Sequence, residues 1–91
     1  MAAVSEYKKI VFQLKAPAAK EVILTGDFIL WNSKGLRMKK DTDGVWKTAV
    51  NLKPGSYEYK FLVDGAWQID PSNSALRNNQ LGSENSVKTV N

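Results

Sequence analysis

The sequence predicts an all-β fold, an antiparallel β-sandwich of about seven short strands. Alternation of apolar and polar residues with period two recurs along the chain, and no long stretch shows the helical period. Turn signals rich in Gly, Pro, Asn and Asp separate the alternating runs. With 91 residues, the chain is long enough for one hydrophobic core but not for two. A small five-stranded barrel is the main alternative architecture.

The first two strands follow from runs of apolar and β-branched residues. Residues 7–14 (YKKIVFQL) and 21–26 (EVILTG) have the composition of strands. In the second run, Val22 and Leu24 share one face, and Phe28 continues it. After a polar loop, residues 36–40 (LRMKK) form a short third strand.

The middle of the chain shows the clearest alternation. A turn at 41–44 (DTDG) precedes a strand at 45–52, in which Trp46 shares a face with other apolar residues and is expected in the core. The KPG sequence at 53–55 is a second turn. Residues 56–63 then alternate between an aromatic face and a polar face, as expected for a half-buried strand.

The last third of the chain contains two short strands and a long connection. Residues 66–69 (AWQI) follow a tight turn, residues 70–85 form a polar loop, and residues 86–90 (SVKTV) close the fold. Seven such strands in 91 residues are typical of the immunoglobulin-like sandwich. We expect a single module over residues 1–91, with its core at about 7–90.

The Asp64-Gly65 pair predicts where Trp67 points. This pair fits a two-residue type I′ hairpin, because both central positions of that turn need a positive φ. The resulting register places Trp67 opposite Leu62, on the same face as Lys60. A slip of one residue would turn Trp67 inward. The opposite face is the better core face, since it contains Tyr57, Tyr59, Phe61 and Val63.

An outward tryptophan beside a lysine is a recognisable binding arrangement. The flat indole face of Trp67 can lie against another planar or C–H-rich surface, and the Lys60 ammonium offers up to three donors. Two ligand classes fit, a sugar ring with its hydroxyls or a nucleic-acid base with its phosphate. The structural alternative is a tryptophan that only covers the sheet or packs under the long loop.

The composition excludes several kinds of active site. The chain has no cysteine and no histidine, which removes thiolate metal sites and the Ser-His and Cys-His nucleophile pairs. The acids Asp41, Asp43, Asp64 and Asp70 fall in turns and are explained as turn formers. No pair of carboxyls is marked for glycoside hydrolysis. We therefore expect no enzymatic activity, no metal and no cofactor.

The charge pattern gives only a weak signal for nucleic acid. Thirteen basic and nine acidic residues give a net charge of +4. The lysines are spread from Lys8 to Lys88, with only Lys8-Lys9 and Lys39-Lys40 adjacent, as on a solvated surface. We expect no nucleic-acid partner, because binding of the phosphate backbone depends on clustered cations. Such binding would also weaken steeply with added salt.

The N-terminal residues indicate no export or membrane insertion. The stretch MAAVSEYKK lacks the apolar run of a secretory signal, and no apolar segment approaches the roughly 20 residues of a membrane span. We therefore expect a cytoplasmic location, or an interior site reached by a segment that is not present in this sequence, and no membrane partner.

An ordered set of motifs covers about residues 7–90. The motifs are GDF-x-x-W at 26–31, G-x-W at 44–46, L-x-P-G-x-Y-x-Y-K-F-x-V-D-G-x-W-x-x-D-P at 52–71 and L-G-S-x-N-S-V at 81–87. This pattern resembles the family 48 carbohydrate-binding modules. These modules include the glycogen-binding domain of the AMP-activated protein kinase β subunit and the N-terminal domains of isoamylase-type enzymes.

The resemblance implies an early-set immunoglobulin-like sandwich that binds α-1,4-linked glucans such as glycogen, starch, maltooligosaccharides or cyclodextrin. In the kinase-type members, two tryptophans stack on sugar rings and a lysine hydrogen-bonds their hydroxyls. A loop leucine threads through the curved glucan, and a threonine and an asparagine add polar contacts. The matching positions here are Trp31, Trp67, Lys60, Leu81, Ser83 and Asn85.

Two apolar residues depart from the family pattern. Ile29 and Leu30 stand where relatives commonly have a polar pair, beside the presumed binding platform. They give either extra contact area for a glucan or a surface for a protein partner, including a homodimer. The second option leads to an alternative function, an early-set scaffold domain that acts through protein–protein contacts without dependence on sugar. From the residues alone, Trp31 is equally compatible with a core position.

Overall fold

Two antiparallel sheets form the fold in a computed structural model, which describes residues 6–32, 34–78 and 82–91. The strands are β1 (Lys8–Lys15), β2 (Val22–Gly26), β3 (Leu36–Arg37), β4 (Lys39–Lys40), β5 (Val45–Leu52), β6 (Gly55–Val63), β7 (Ala66–Gln68), β8 (Leu76–Asn78) and β9 (Glu84–Val90). A short 3₁₀ turn (Asp27–Ile29) follows β2. The predicted all-β antiparallel sandwich is confirmed.

The two sheets differ in size and in what they carry. The smaller sheet has the order β1-β5-β4, and the larger has the order β3-β2-β6-β9-β8. The long strand β6 pairs with β2 along one edge, while β7 and β9 share its other edge end to end. This arrangement brings the β6–β7 hairpin, the end of β2 and the start of β9 to one region of the larger sheet.

The core lies between the sheets and is built from the inward-facing alternate residues of both. Phe12 of β1 meets Tyr59 of β6 edge to face, with ring centroids 4.8 Å apart. Trp46 is only 7% exposed, as predicted, and its Nε1 donates to the Ala16 carbonyl at 2.9 Å. The buried hydrophobic residues are Phe12, Leu14, Ala19, Val22, Leu24, Met38, Trp46, Leu52, Tyr59, Phe61 and Val90.

Two strand predictions differ from the structure in detail. The run at 36–40 is divided between the sheets, because β3 pairs with β2 whereas β4 pairs with β5. Met38 lies at the crossing point, where it is 5% exposed and its N–H bonds the Val22 carbonyl at 2.9 Å. The region predicted as a loop at 70–85 contains β8, a three-residue edge strand whose residues are all exposed and therefore show no alternation.

The β6–β7 hairpin has the predicted turn and register. Asp64 and Gly65 have φ values of 47° and 85°, both positive as a type I′ turn requires. Trp67 lies opposite Leu62, and Ala66 opposite Val63. The hairpin therefore directs Trp67 away from the core.

Candidate functional site

The outer face of the larger sheet displays a tryptophan beside a lysine. Along β6, Tyr59 and Phe61 point inward and are 1% and 0% exposed, so Lys60 and Leu62 point outward. Trp67 is paired with Leu62 and is 56% exposed. An indole of this exposure is available for stacking. Its position is fixed by a hydrogen-bonded strand rather than by a loop.

Trp31 is held by an uncommon backbone path after β2. Leu30 and Trp31 both have φ 55°, in the left-handed region that costs residues other than glycine about 1–2 kcal/mol each. Hydrogen bonds from Trp31 N to Gly26 O at 2.8 Å and from Leu30 N to Asp27 O at 3.2 Å maintain this path. Trp31 is 36% exposed as a result. Trp31 is thus a surface residue rather than part of the core.

A hydrogen bond attaches the loop that contains Trp31 to the larger sheet, next to Lys60. Thr25 of β2 lies directly opposite Lys60, is 1% exposed, and its Oγ1 donates to the Asn32 carbonyl at 3.0 Å. The close approach of this region to β6 requires Gly26, since a Cβ there would lie 2.5 Å from the Glu58 carbonyl. These contacts connect the Trp31 loop to the strand that carries Lys60.

Lys60 also connects to the segment that leads into β9. Its Nζ donates to the Oγ of Ser83 at 3.2 Å. An ammonium group has three donors, so a ligand hydroxyl can be bound alongside Ser83. Leu81, the predicted threading residue, lies outside the described residues.

Asn85 belongs to a polar group that the sequence did not reveal. It is 7% exposed on β9, and its Nδ2 donates to Glu58 Oε1 at 3.1 Å. Arg77 of β8 lies opposite Asn85 and donates to Glu58 Oε2 at 3.2 Å. Glu58 therefore orients both neighbours. Its outward position was readable from the alternation of β6, but Arg77 lay in a segment without a pattern.

The carboxylates predicted to form turns have structural contacts. Asp41 accepts backbone hydrogen bonds from its own turn, of which the bond from Val45 is the main cause of its lowered pKa. Asp70 is 7% exposed and accepts a hydrogen bond from Tyr59 Oη at 2.7 Å. Burial, together with Asp70, raises the pKa of Tyr59. Within the described ranges, no group of three Asp or Glu side chains is placed to hold a metal ion.

This arrangement can bind a neutral polyhydroxylated ligand. The exposed tryptophans present flat apolar area of the kind that packs against C–H-rich surfaces, and Lys60 and its polar neighbours present hydrogen-bond donors and acceptors. The part of the chain that the structure describes contains no helix of membrane-spanning length and hydropathy. Fold and site together define a small β-sandwich binding module.

Comparison with known families identifies the class more closely. The family model described as the glycogen recognition site of AMP-activated protein kinase matches residues 9–91. The chain therefore belongs to this family of glycogen-recognition modules, and the resemblance predicted from the motifs is confirmed. Membership in a family of binding modules indicates a non-catalytic role.

Three relatives illustrate the range of proteins that contain similar modules. The rice (Oryza sativa subsp. japonica) protein FLOURY ENDOSPERM 6, chloroplastic, is 41% identical over 97% of this chain. The Arabidopsis thaliana protein PTST homolog 2, chloroplastic, is 48% identical over 59% of it, and the human 5'-AMP-activated protein kinase subunit beta-2 is 38% identical over 75%. The matched regions span only 16%, 10% and 24% of these three proteins, respectively.

The expectation of a cytoplasmic location is wrong. Both plant relatives are named as chloroplastic proteins, which points to the plastid rather than the cytoplasm. The expectation rested on the N-terminal residues of a chain that spans a small fraction of those relatives.

Proposed function

We propose that this chain is a non-catalytic module, with its core at about residues 7–90, that binds α-1,4-linked glucans. The observation that carries the proposal is Trp67, 56% exposed on a strand whose neighbour β6 presents Lys60 on the same face. The family match to a glycogen recognition site supports glucan as the ligand class. The chloroplastic names of two relatives make starch polymers a natural first ligand to test, with glycogen.

The proposed site residues divide into stacking groups and polar groups. Trp31 and Trp67 stack on sugar rings, and Lys60 donates to sugar hydroxyls. Ser83 contributes a hydroxyl beside the Lys60 ammonium, and Asn85 contributes its amide, whose orientation is supported by Glu58. Leu81 is proposed to contact the glucan from the segment between β8 and β9.

The absence of catalysis is supported by the positions of the carboxylates. Hydrolysis needs one acid that donates a proton and one carboxylate across a cleft. Near the proposed site, Glu58 bonds Arg77 and Asn85, while Asp27 Oδ2 accepts the Glu58 N–H at 3.1 Å. In these contacts both carboxylates accept hydrogen bonds from neighbouring protein groups.

Retention in native gels that contain glycogen or amylopectin tests the proposal. Loss of a buried aromatic contact at an interface typically costs about 2 kcal/mol or more, which is a decrease in affinity of about thirtyfold. Trp67→Ala and Trp31→Ala should therefore largely abolish retention without unfolding the protein. Tyr7→Ala is a matched control, because Tyr7 is also 56% exposed but precedes β1 of the other sheet. Unchanged retention of both tryptophan variants would exclude this site.

A second candidate function is favoured by the exposure of Leu30. This side chain is 90% exposed next to Ile29 and the exposed Trp31, so the three residues together present apolar area against which a ligand or partner can pack. A homodimer or a protein partner that uses Ile29 and Leu30 would explain it without sugar. Size-exclusion chromatography with and without maltoheptaose distinguishes the two functions. A sugar-independent dimer that Leu30→Asp dissociates would favour the second.

A further inference from the structure

The smaller sheet collects lysines that are scattered along the sequence. The strands β1, β4 and β5 contain six of the thirteen basic residues and no aspartate or glutamate. The six are Lys8, Lys9, Lys15, Lys39, Lys40 and Lys47. Nothing in the sequence spacing predicts this concentration, since it arises only when the three strands pair.

The strand register shows which of these lysines share a face. In β1, Phe12 and Leu14 point into the core, so the residues that alternate with them point outward. Lys47 lies opposite both Gln13 and Lys39, and Val11 lies opposite Ala49. We call the resulting outer surface the basic face. It consists of Lys9, Lys15, Lys39 and Lys47 around Val11, Gln13, Ala49 and Asn51.

Protection of sheet edges explains only part of this surface. Lysines on edge strands prevent edge-to-edge association, and β1 and β4 are the two edges of the sheet. Lys47, however, lies on the central strand β5. Its direct pairing with Lys39 places like charges opposite each other, which is destabilising. Asp41 offsets part of this repulsion, with Oδ2 3.4 Å from Lys47 Nζ.

We propose that the basic face is a docking surface for an acidic segment of a partner protein. A row of cations on a sheet face is complementary to carboxylates, and such complementarity fixes orientation and speeds association. Lys9 and Lys15 are six residues apart on one strand, or about 20 Å, so the face can contact several carboxylates of a single helix or strand.

The centre of the basic face favours a protein over an anionic polymer. Val11 is 51% exposed and is paired with the small side chain of Ala49, which gives an apolar centre surrounded by charge. Protein interfaces have this arrangement of apolar centre and polar rim. The aromatic residues of the three strands, Phe12 and Trp46, are buried, so these strands offer no ring on which a base could stack.

The basic face and the proposed glucan site lie on opposite outer surfaces of the sandwich. A partner on the smaller sheet would leave Trp67 and Lys60 accessible, so the module can hold a glucan and a protein at the same time. This inference does not depend on glucan binding, and its test uses no sugar.

Fluorescence anisotropy with a defined peptide tests the proposal. The probe is a labelled helical peptide of about 18 residues, about 27 Å long, with glutamates and one leucine along one face. The same peptide with glutamine in place of every glutamate is the charge control. We expect the acidic peptide to bind with a Kd of about 10–100 μM at low salt, and to bind less tightly as salt is added.

Variants of the chain then locate the binding surface. Lys47→Glu and Lys9→Glu should each weaken peptide binding by about tenfold. The control is Lys20→Glu, which makes the same charge change outside the three strands and should alter the Kd by less than about twofold. Val11→Asn should weaken binding by about threefold or more through loss of its apolar contact. Circular dichroism and thermal unfolding verify that each variant is folded.

Three results would overturn the proposal. The first is equal binding of the glutamate and glutamine peptides, or no binding up to about 1 mM. The second is peptide binding that Lys47→Glu and Lys9→Glu leave unchanged. The third is binding of heparin through the same lysines with no effect of Val11→Asn, which would assign the surface to an anionic polymer instead.

Discussion

Asp64 determines both the turn that presents Trp67 and the attachment of that turn to the rest of the sheet. Its φ of 47° belongs to the left-handed region. Its Oδ1 accepts hydrogen bonds from the backbone N–H groups of Lys20 at 2.9 Å and Glu21 at 2.8 Å. Substitution of Asp64 therefore tests two separable contributions to stability, the turn conformation and the carboxylate contacts.

Three substitutions separate these contributions. Asp64→Asn keeps an Oδ1 acceptor and tolerates a positive φ, so it should cost under about 1 kcal/mol. Asp64→Gly adopts the turn without strain but loses both hydrogen bonds, which at about 0.5–1.5 kcal/mol each gives about 1–3 kcal/mol. Asp64→Ala loses the bonds and also adds about 1 kcal/mol for its φ, for a total of about 2–4 kcal/mol.

Urea unfolding followed by tryptophan fluorescence measures these free energies. The free energy of unfolding should decrease in the order wild type, Asp64→Asn, Asp64→Gly and Asp64→Ala, with unchanged m-values. Thr42→Ala, in another exposed turn, should differ from wild type by less than about 0.5 kcal/mol. Equal losses for all three Asp64 variants, or a Gly variant less stable than the Ala variant, would refute the reasoning.

Three further substitutions test other contacts. Tyr59→Phe removes the hydrogen bond to Asp70 and should cost about 1.5–3 kcal/mol. Because the pKa of Tyr59 is raised on folding, the contribution of Tyr59 to folding stability is fully present below about pH 10 and decreases at higher pH. In urea titrations at alkaline pH, Tyr59→Phe should therefore lose less stability with rising pH than the wild type does. Gly26→Ala forces a Cβ toward the Glu58 carbonyl and should lower the thermal midpoint, with a loss of about 1–3 kcal/mol. Arg77→Ala breaks an exposed ion pair, so the free energy of unfolding measured by calorimetry should stay within about 1 kcal/mol of the wild type. Binding titrations should show glucan affinity about two- to fivefold weaker, because Glu58 then lacks one of the groups that orient it.

The local features of the fold were predictable where a short pattern determines the backbone. The Asp64-Gly65 pair predicts a type I′ turn, and the two-residue length of that turn fixes the register that pairs Trp67 with Leu62. The crossing at Met38 was not predictable, because LRMKK reads as one strand and its division depends on which sheet each half can pair with. The exposed strand β8 had no alternation to detect.

The site was predictable in part for similar reasons. The exposure of Trp67 and its proximity to Lys60 followed from alternation and register. The left-handed path at Leu30 and Trp31 did not, since both residue types are uncommon in that region and their N–H groups are held there by hydrogen bonds to the Asp27 and Gly26 carbonyls. Likewise, the link from Arg77 to Glu58 depends on the pairing of β8 with β9.

Titration of intrinsic tryptophan fluorescence with β-cyclodextrin tests the central claim most directly. This ring of α-1,4-linked glucose should produce a saturable change in the wild-type protein, and the same change in Tyr7→Ala. In Trp67→Ala, the change should be lost or its midpoint should rise by about thirtyfold, as expected from removal of about 2 kcal/mol of contact energy. Saturation of Trp67→Ala at the wild-type midpoint would contradict glucan binding on this face of the sheet.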